Sequence, residues 1–160
     1  MRVIKDKQVI DDEWILVRDT ENDLQPGKVI LPLAYWQENR DALINENEQH
    51  AVWIDGDTET EALLDDLDKF DLIALDFPKF KDGRSYTHAR LLKQRYDYQG
   101  ELRAIGDVLR DQLFYLLRCG FDSFQLREDK DAEAALKSFN DFTVRYQAAA
   151  DDAVPVYKLR

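Results

Sequence analysis

The segment Phe70-Asp71-Leu72-Ile73-Ala74-Leu75-Asp76-Phe77-Pro78 decides the fold of this chain. Leu72 to Leu75 run together without a polar interruption, as strands covered on both faces do, and such strands belong to parallel sheets flanked by helices. Pro78 stops the run because it has no N–H for the ladder. Outward from it lie similar runs. Residues 101–105 form one, closed by Gly106, and 121–126 another. Upstream, Ala51–Ile54 is closed by Asp55-Gly56-Asp57, and 28–33 ends near Pro32.

Helical spacing fills the intervals. Residues 35–47 place Trp36, Arg40, Leu43 and Ile44 near one stripe, and 59–69 do the same with Leu63, Leu64 and Leu67. Thr58 reads as the N-cap of the second helix, with Glu61 completing a capping box. A helix of about ten residues follows Ser85 as its cap. Residues 107–119 carry Leu109, Leu113, Leu116 and Leu117 at i, i+4, i+7 and i+8, with Gly120 as the stop. A last helix over 131–149 turns Leu136, Phe139, Phe142 and Tyr146 inward. At the other end, 1–10 and 13–18 are β-rich and separated by Asp11-Asp12, which predicts a small hairpin.

The order implies an α/β protein whose mainly parallel sheet is built from about five βα units. Too few units are present for an eight-fold barrel. The sheet is therefore open and doubly wound, or a partial barrel that a second copy could complete. A single domain over 1–160 is expected: hairpin and turn in 1–27, βα core in 28–150, tail in 151–160.

At 160 residues and 44% hydrophobic composition, one domain can bury a substantial core. A net charge of −11 argues against nucleic acid as a partner, and no run approaches the ~20 apolar residues of a membrane span. The start of the chain breaks its apolar content with charge at once, so a cytoplasmic protein is expected. The single cysteine, Cys119, rules out an internal disulfide or a multi-cysteine metal site within the chain.

Charge is unevenly spread. Between Lys79 and Arg127 there are ten Lys/Arg and six Asp/Glu, a net +4 inside an acidic protein. In parallel α/β sheets ligands gather at the carboxyl ends of strands. Those ends hold Asp76 with Lys79, Lys81, Arg84 and Ser85, then Asp107 and Arg110, then Arg127. Arginine forks hold oxyanions in paired hydrogen bonds, and Lys79, Lys81, Arg84, Ser85, Arg110 and Arg127 form the expected anion site. Asp76 and Asp107 are the candidate acid/base carboxylates, each also explicable as a turn or helix-start residue.

Other candidates read as structural. His88 lies on a helix and His50 in a polar connection. Cys119 sits near a helix C-terminus, where the dipole disfavours a thiolate. Tyr86, Tyr96 and Tyr98 suit packing, and Asp55-Gly56-Asp57 is accounted for by turn chemistry. No P-loop, GxGxxG, GxSxG or HExxH pattern occurs, and neither a cofactor nor a metal is expected.

The run Asp-Phe-Pro-Lys-Phe-Lys-Asp-Gly-Arg-Ser-Tyr-Thr-His-Ala-Arg-Leu-Leu (76–92), with Gly-Glu-Leu-Arg-Ala-Ile-Gly-Asp-Val-Leu-Arg-Asp-Gln-Leu (100–113) and Arg-Cys-Gly-Phe-Asp-Ser-Phe (118–124), resembles the bacterial family of unknown function DUF934. The matched motif positions run from Asp82 to Tyr86, then Gly106, Asp107 and Arg110 to Gln112, then Gly120 to Asp122. Members of that family are commonly encoded beside an assimilatory sulfite reductase. The resemblance therefore implies a process, sulfur assimilation, and a sulfite reductase as partner, without implying catalytic residues. Sulfite reduction moves six electrons and needs a redox cofactor, which one cysteine and no nucleotide fingerprint do not suggest here. Two expectations follow: an accessory protein binding an anionic ligand or the reductase at the basic edge, and a small enzyme acting on an anionic sulfur-containing or phosphorylated metabolite.

Overall fold

The computed structural model describes residues 2–6, 8–22, 24–46, 49–77, 84–106, 108 and 113–125, with the backbone alone for Arg2, Arg84 and Phe114. Among these residues eight strands form one sheet: β1 (Arg2–Lys5), β2 (Gln8–Asp11), β3 (Ile15–Leu16), β4 (Val29–Pro32), β5 (Ala51–Ile54), β6 (Leu72–Phe77), β7 (Glu101–Gly106) and β8 (Ser123–Phe124). Their spatial order is β2-β1-β8-β7-β6-β5-β4-β3. From β3 to β8 each neighbouring pair is parallel, and spatial order follows chain order.

A doubly wound sheet needs that order to reverse at a switch point. Here it never reverses, so right-handed crossovers lay the connecting helices on one face. The sheet is a curled half-barrel, the second of the two architectures the sequence leaves open. The N-terminal chain explains the curl. β2 and β3 are the two opposite edges, yet only Asp12, Glu13 and Trp14 join them. Four Cα steps reach at most about 14 Å. Eight strands laid flat would separate their edges by roughly 34 Å.

The hairpin exists, but not as the sequence predicts it. β1 pairs with β2 across Lys5↔Gln8, with Asp6 in the left-handed region at φ 53°. The turn therefore falls before Asp11-Asp12, and the segment after Trp14 runs to the far edge, where it pairs parallel to β4. Local β-propensity marks a strand without naming its partner. The hairpin joins the sheet through β1, antiparallel to β8.

The helices also depart from expectation in places. One helix predicted over 35–47 is two, α1 (Leu33–Glu38) and α2 (Arg40–Glu46). The break is at Asn39, whose side-chain amide donates to the Tyr35 carbonyl at 3.0 Å and competes with the backbone ladder. The next helix is a 3-10 helix, Thr60–Lys69, kinked at Asp66. Thr58 does not cap it, because its N–H and hydroxyl both donate to Asp55 Oδ1 at 3.0 Å in the preceding turn. Asp66 ties this helix to α1 and α2: Trp36 Nε1 donates to it at 2.9 Å and Arg40 Nη2 at 2.8 Å. The Arg40 hydrogen bond holds the Asp66 carboxyl below the usual carboxylate range.

Helix α3 (Arg84–Arg90) continues as a π-helical turn, Leu91–Arg95, and Ser85 lies inside it rather than capping it. Helix α4 (Leu113–Cys119) ends as the sequence predicts. Gly120, at φ 109°, donates to Leu117 O and Phe121 donates to Leu116 O, the paired bonds of a Schellman stop. The expected helix over 131–149, the start of the 107–119 helix and the tail lie outside the described residues.

Strand alternation divides the core. On the convex face, Val52, Ile54, Ile73, Leu75, Phe77, Leu102, Ala104 and Phe124 pack against Trp36, Leu63, Leu92, Leu113 and Leu116 of the helices. On the concave face, Ile30, Ala51, Leu72, Ala74 and Ile105 close around Trp14, which comes from the connection between the edge strands. The apolar concave layer separates two charged ends.

Candidate functional site

The carboxyl end of the concave face is built by period-2 alternation. Val17 is buried on the convex side with Val29 and Leu31, which turns the next residue, Arg18, toward the mouth of the curl. Trp53, near the end of β5, lies beneath it: Trp53 Nε1 donates to the Val17 carbonyl at 2.9 Å. The Arg18 guanidinium sits 4.9 Å from the Trp53 ring centroid, within cation–π range. Its Nη2 donates to Asp76 Oδ1 at 2.8 Å. The arginine side chain is 40% exposed and the aspartate 19%. Among the described residues, a stacked ring and one carboxylate hold this partly exposed cation.

Gly106 closes the third side. It ends β7 opposite Phe77 in the register and has φ 87°. A Cβ there would collide with Asp76 Oδ1 and the Phe77 carbonyl, so only glycine lets β7 approach the carboxylate this closely. Ser85 is fully buried and its hydroxyl donates to the Asp76 carbonyl at 2.8 Å, which fastens α3 to the end of β6. Asp76 is thus held through its main chain by one predicted site residue, and through its side chain by an arginine that sequence reading assigned to a hairpin.

Of the predicted site residues, the structure brings Asp76 and Ser85 together. Arg84 is the first residue of α3, described by its backbone. Lys79, Lys81, Asp107, Arg110 and Arg127 lie outside the described residues. The rest of the basic island is dispersed into pairs. Lys93 reaches Asp122 at 3.2 Å and stands over the Tyr98 ring, and Arg95 stands over Tyr96. The pKa of Arg90 is raised further, chiefly by Cys119 beside it.

Arg103 is the most deeply committed of these cations. It is wholly buried toward the amino end of the concave face. Its Nε donates to Ser123 Oγ at 2.9 Å, and its Nη2 to Glu101 Oε2 at 2.7 Å and to Asp12 Oδ2. Lys5 Nζ adds a contact to Glu101 Oε1 at 2.5 Å. Burial alone would raise the Glu101 pKa, but the Lys5 hydrogen bond, the Arg103 charge and the Ser123 hydroxyl together hold it below the ordinary range. Asp12 is likewise lowered against its burial, through the Trp14 N–H and Arg103.

The remaining candidates sit in packing roles. His88 is buried, with Nδ1 2.6 Å from Thr60 Oγ1. Its Nε2 makes no hydrogen bond among the described residues, and the backbone of Asp55 and Gly56 favours the protonated ring. Burial outweighs this and lowers its pKa. The His50 ring lies 4.9 Å from Trp36, and burial lowers its pKa too. Cys119 is buried in the convex core. Tyr86 packs between Phe77 and Tyr115, and Tyr98 donates to the Phe70 carbonyl at 2.9 Å. Asp55 Oδ1 is occupied by the turn, and among the described residues no three His, Cys, Asp or Glu side chains converge as a metal set.

A family model described as "Bacterial protein of unknown function (DUF934)" matches residues 51–157. The chain belongs to the DUF934 family. No curated protein and no solved structure matches it. Trp53, Asp76, Ser85 and Gly106 lie within the span matched to DUF934, whereas Arg18 and the hairpin precede it. Among the described residues of this DUF934 chain, no helix is long and apolar enough to cross a membrane.

Proposed function

We propose that this DUF934 protein is a cytoplasmic accessory protein of sulfite reduction, which binds an anionic ligand or an anionic group of the reductase at the carboxyl mouth of its half-barrel. The observation that supports this most is Arg18. It is a half-exposed guanidinium, pre-oriented by Trp53 and Asp76, at the strand ends where barrel-type folds place their ligands. The ion pair leaves the fork able to accept an oxyanion while keeping its direction. The basic residues expected at the neighbouring strand ends, Lys79, Lys81, Arg84, Arg110 and Arg127, would add to the positive potential there. The sulfite connection comes from the gene neighbourhood of the family.

A thermal-shift titration with sulfite, sulfate and phosphate tests the reading. A ligand at 100 times its dissociation constant adds about 2.7 kcal/mol, a rise of several degrees for a domain of this size. The rise is expected in the wild type and lost in Arg18→Ala. No rise with any anion, together with no retention of the reductase on the immobilised protein, overturns it.

The carboxylate beside the cation favours a second reading, a small enzyme acting on an anionic sulfur-containing or phosphorylated metabolite. Asp76 Oδ1 accepts from Arg18 Nη2 at 2.8 Å, so the carboxylate would lie beside an anion held by that guanidinium, where a general base would stand. Asp76→Asn would then abolish turnover while anion binding persists. In an accessory protein the same variant alters binding alone.

A further inference from the structure

Hydrogen phosphate and sulfate are tetrahedral dianions of nearly equal size that differ in a single proton, and the pair at the carboxyl mouth is suited to tell them apart. Asp76 Oδ1 accepts from Arg18 Nη2 at 2.8 Å, so a cationic donor and an anionic acceptor stand side by side. A guanidinium offers only N–H donors, and an ionised carboxylate only acceptors. An oxyanion held by the free part of the Arg18 fork therefore lies next to a carboxylate that calls for a donor.

The surroundings fix that carboxylate and leave one of its oxygens open. Ser85 Oγ donates to the Asp76 carbonyl at 2.8 Å, and the close approach of Gly106 confines the side chain. Asp76 Oδ2 makes no hydrogen bond among the described residues. Trp53 cannot serve it, because its Nε1 is spent on the Val17 carbonyl while its ring supports the guanidinium at 4.9 Å. Arg18 is the one cation paired with Asp76 among the described residues, so the two charges cancel. The aspartate side chain is 19% exposed, which leaves bulk water only a small part in screening it.

An oxyanion without a proton would set a lone pair against Asp76 and add like-charge repulsion. One that carries a proton donates it to Oδ2, and O–H···O⁻ bonds belong to the strong, charge-assisted class. Sites reject near-isosteres in this way, through the polar group that the wrong ligand leaves unpaired.

We infer that the carboxyl mouth selects oxyanions that carry a proton, hydrogen phosphate or hydrogensulfite, against sulfate, with Asp76 as the specificity-determining acceptor. The assignment rests on the anion-binding reading of Arg18 and narrows it to a ligand class.

Isothermal titration of the full chain near neutral pH, in about 150 mM chloride to screen diffuse attraction, compares phosphate, sulfite and sulfate. Phosphate and sulfite should bind saturably, and sulfate at least about tenfold more weakly. Asp76→Asn, whose amide can present a donor, should tighten sulfate to within about threefold of phosphate. Arg18→Ala should abolish binding of every anion. Saturation by only one of phosphate and sulfite, with sulfate excluded, supports the inference and identifies the ligand. Equal affinity for phosphate and sulfate in the wild type, with both lost in Arg18→Ala, overturns the selectivity and leaves the anion site standing. An unchanged ratio in a folded Asp76→Asn variant overturns it too. If that variant does not fold, the wild-type ratio decides by itself. Absence of saturable binding by all three anions overturns the anion reading and this inference together.

Discussion

The two ends of the concave face use the same chemistry to opposite effect. Toward the amino end, Arg103 is sealed among Glu101, Asp12, Ser123 and, through Glu101, Lys5. At the carboxyl end, Arg18 meets one carboxylate and one ring among the described residues, and its side chain is 40% exposed. A buried arginine held through both Nε and Nη2 positions strands. An arginine held at one corner can accept a ligand. The difference lies in solvent access and number of partners, not in residue type, so counting basic residues along the chain does not find the site.

The sealed network should be the easier one to break. Arg103→Ala leaves Glu101 and Asp12 facing each other without their shared cation, and a broken buried pair costs about 3–5 kcal/mol. Urea denaturation should show that loss as a lower midpoint with the slope nearly unchanged. A loss below about 1 kcal/mol would mean the network is as solvated as a surface pair, and the contrast between the two ends would collapse.

Next in size is Gly106→Ala. Strain at a positive φ, added to the contact with Asp76 and Phe77, should lower stability by about 1–3 kcal/mol and displace the Asp76 carboxylate. Any anion-induced thermal shift should fall with it. Retention of the full shift would show that β7 does not shape the mouth.

Arg18→Ala sharpens the comparison from the other side. An exposed pair contributes about 0–1 kcal/mol, so the denaturation midpoint should barely move. A large fall in stability would reclassify Arg18 as structural.

The smallest effect concerns protons. Burial lowers the His88 pKa below its ordinary value of 6.5. Below that value the unfolded chain takes up a proton that the folded one refuses. The stability contributed by neutral His88 is therefore complete above pH 6.5 and lost as pH falls toward the folded pKa. His50 acts with the same sign. The melting temperature should decline on acidification below that point, and less steeply in His88→Gln. Asp12 and Glu101 do not confuse this window. Their lowered values remove stability only as pH falls through and below the carboxylate range, near 4. Identical slopes in wild type and variant would show that His88 is solvated in the native state.

Sequence patterns located the strands well where burial is two-sided. Ala51–Ile54 and the 72–75 run are legible because a strand covered on both faces must be continuously apolar. Gly120 is legible because a helix stop requires a left-handed residue. The capping-box pattern at Thr58 does not form a cap, since Asp55 takes both its N–H and its hydroxyl. Arg18 was missed because nothing local marks it. It follows a two-residue strand and meets Asp76 across 58 residues of chain. The period-2 signal did exist in Leu16, Val17 and Arg18, but it names a face only once the strand's neighbours are known.

By itself the amino-acid sequence determined the α/β class, the parallel strands, the acidic overall charge with its basic island, and the likeness to DUF934. These rest on short-range periodicity, backbone chemistry and composition. Tertiary structure alone decided that the sheet curls, that β3 joins the far edge, and which arginine is sealed and which is open. Those outcomes depend on pairings between strands distant in the chain. They also depend on a three-residue connection that only a curled sheet can satisfy.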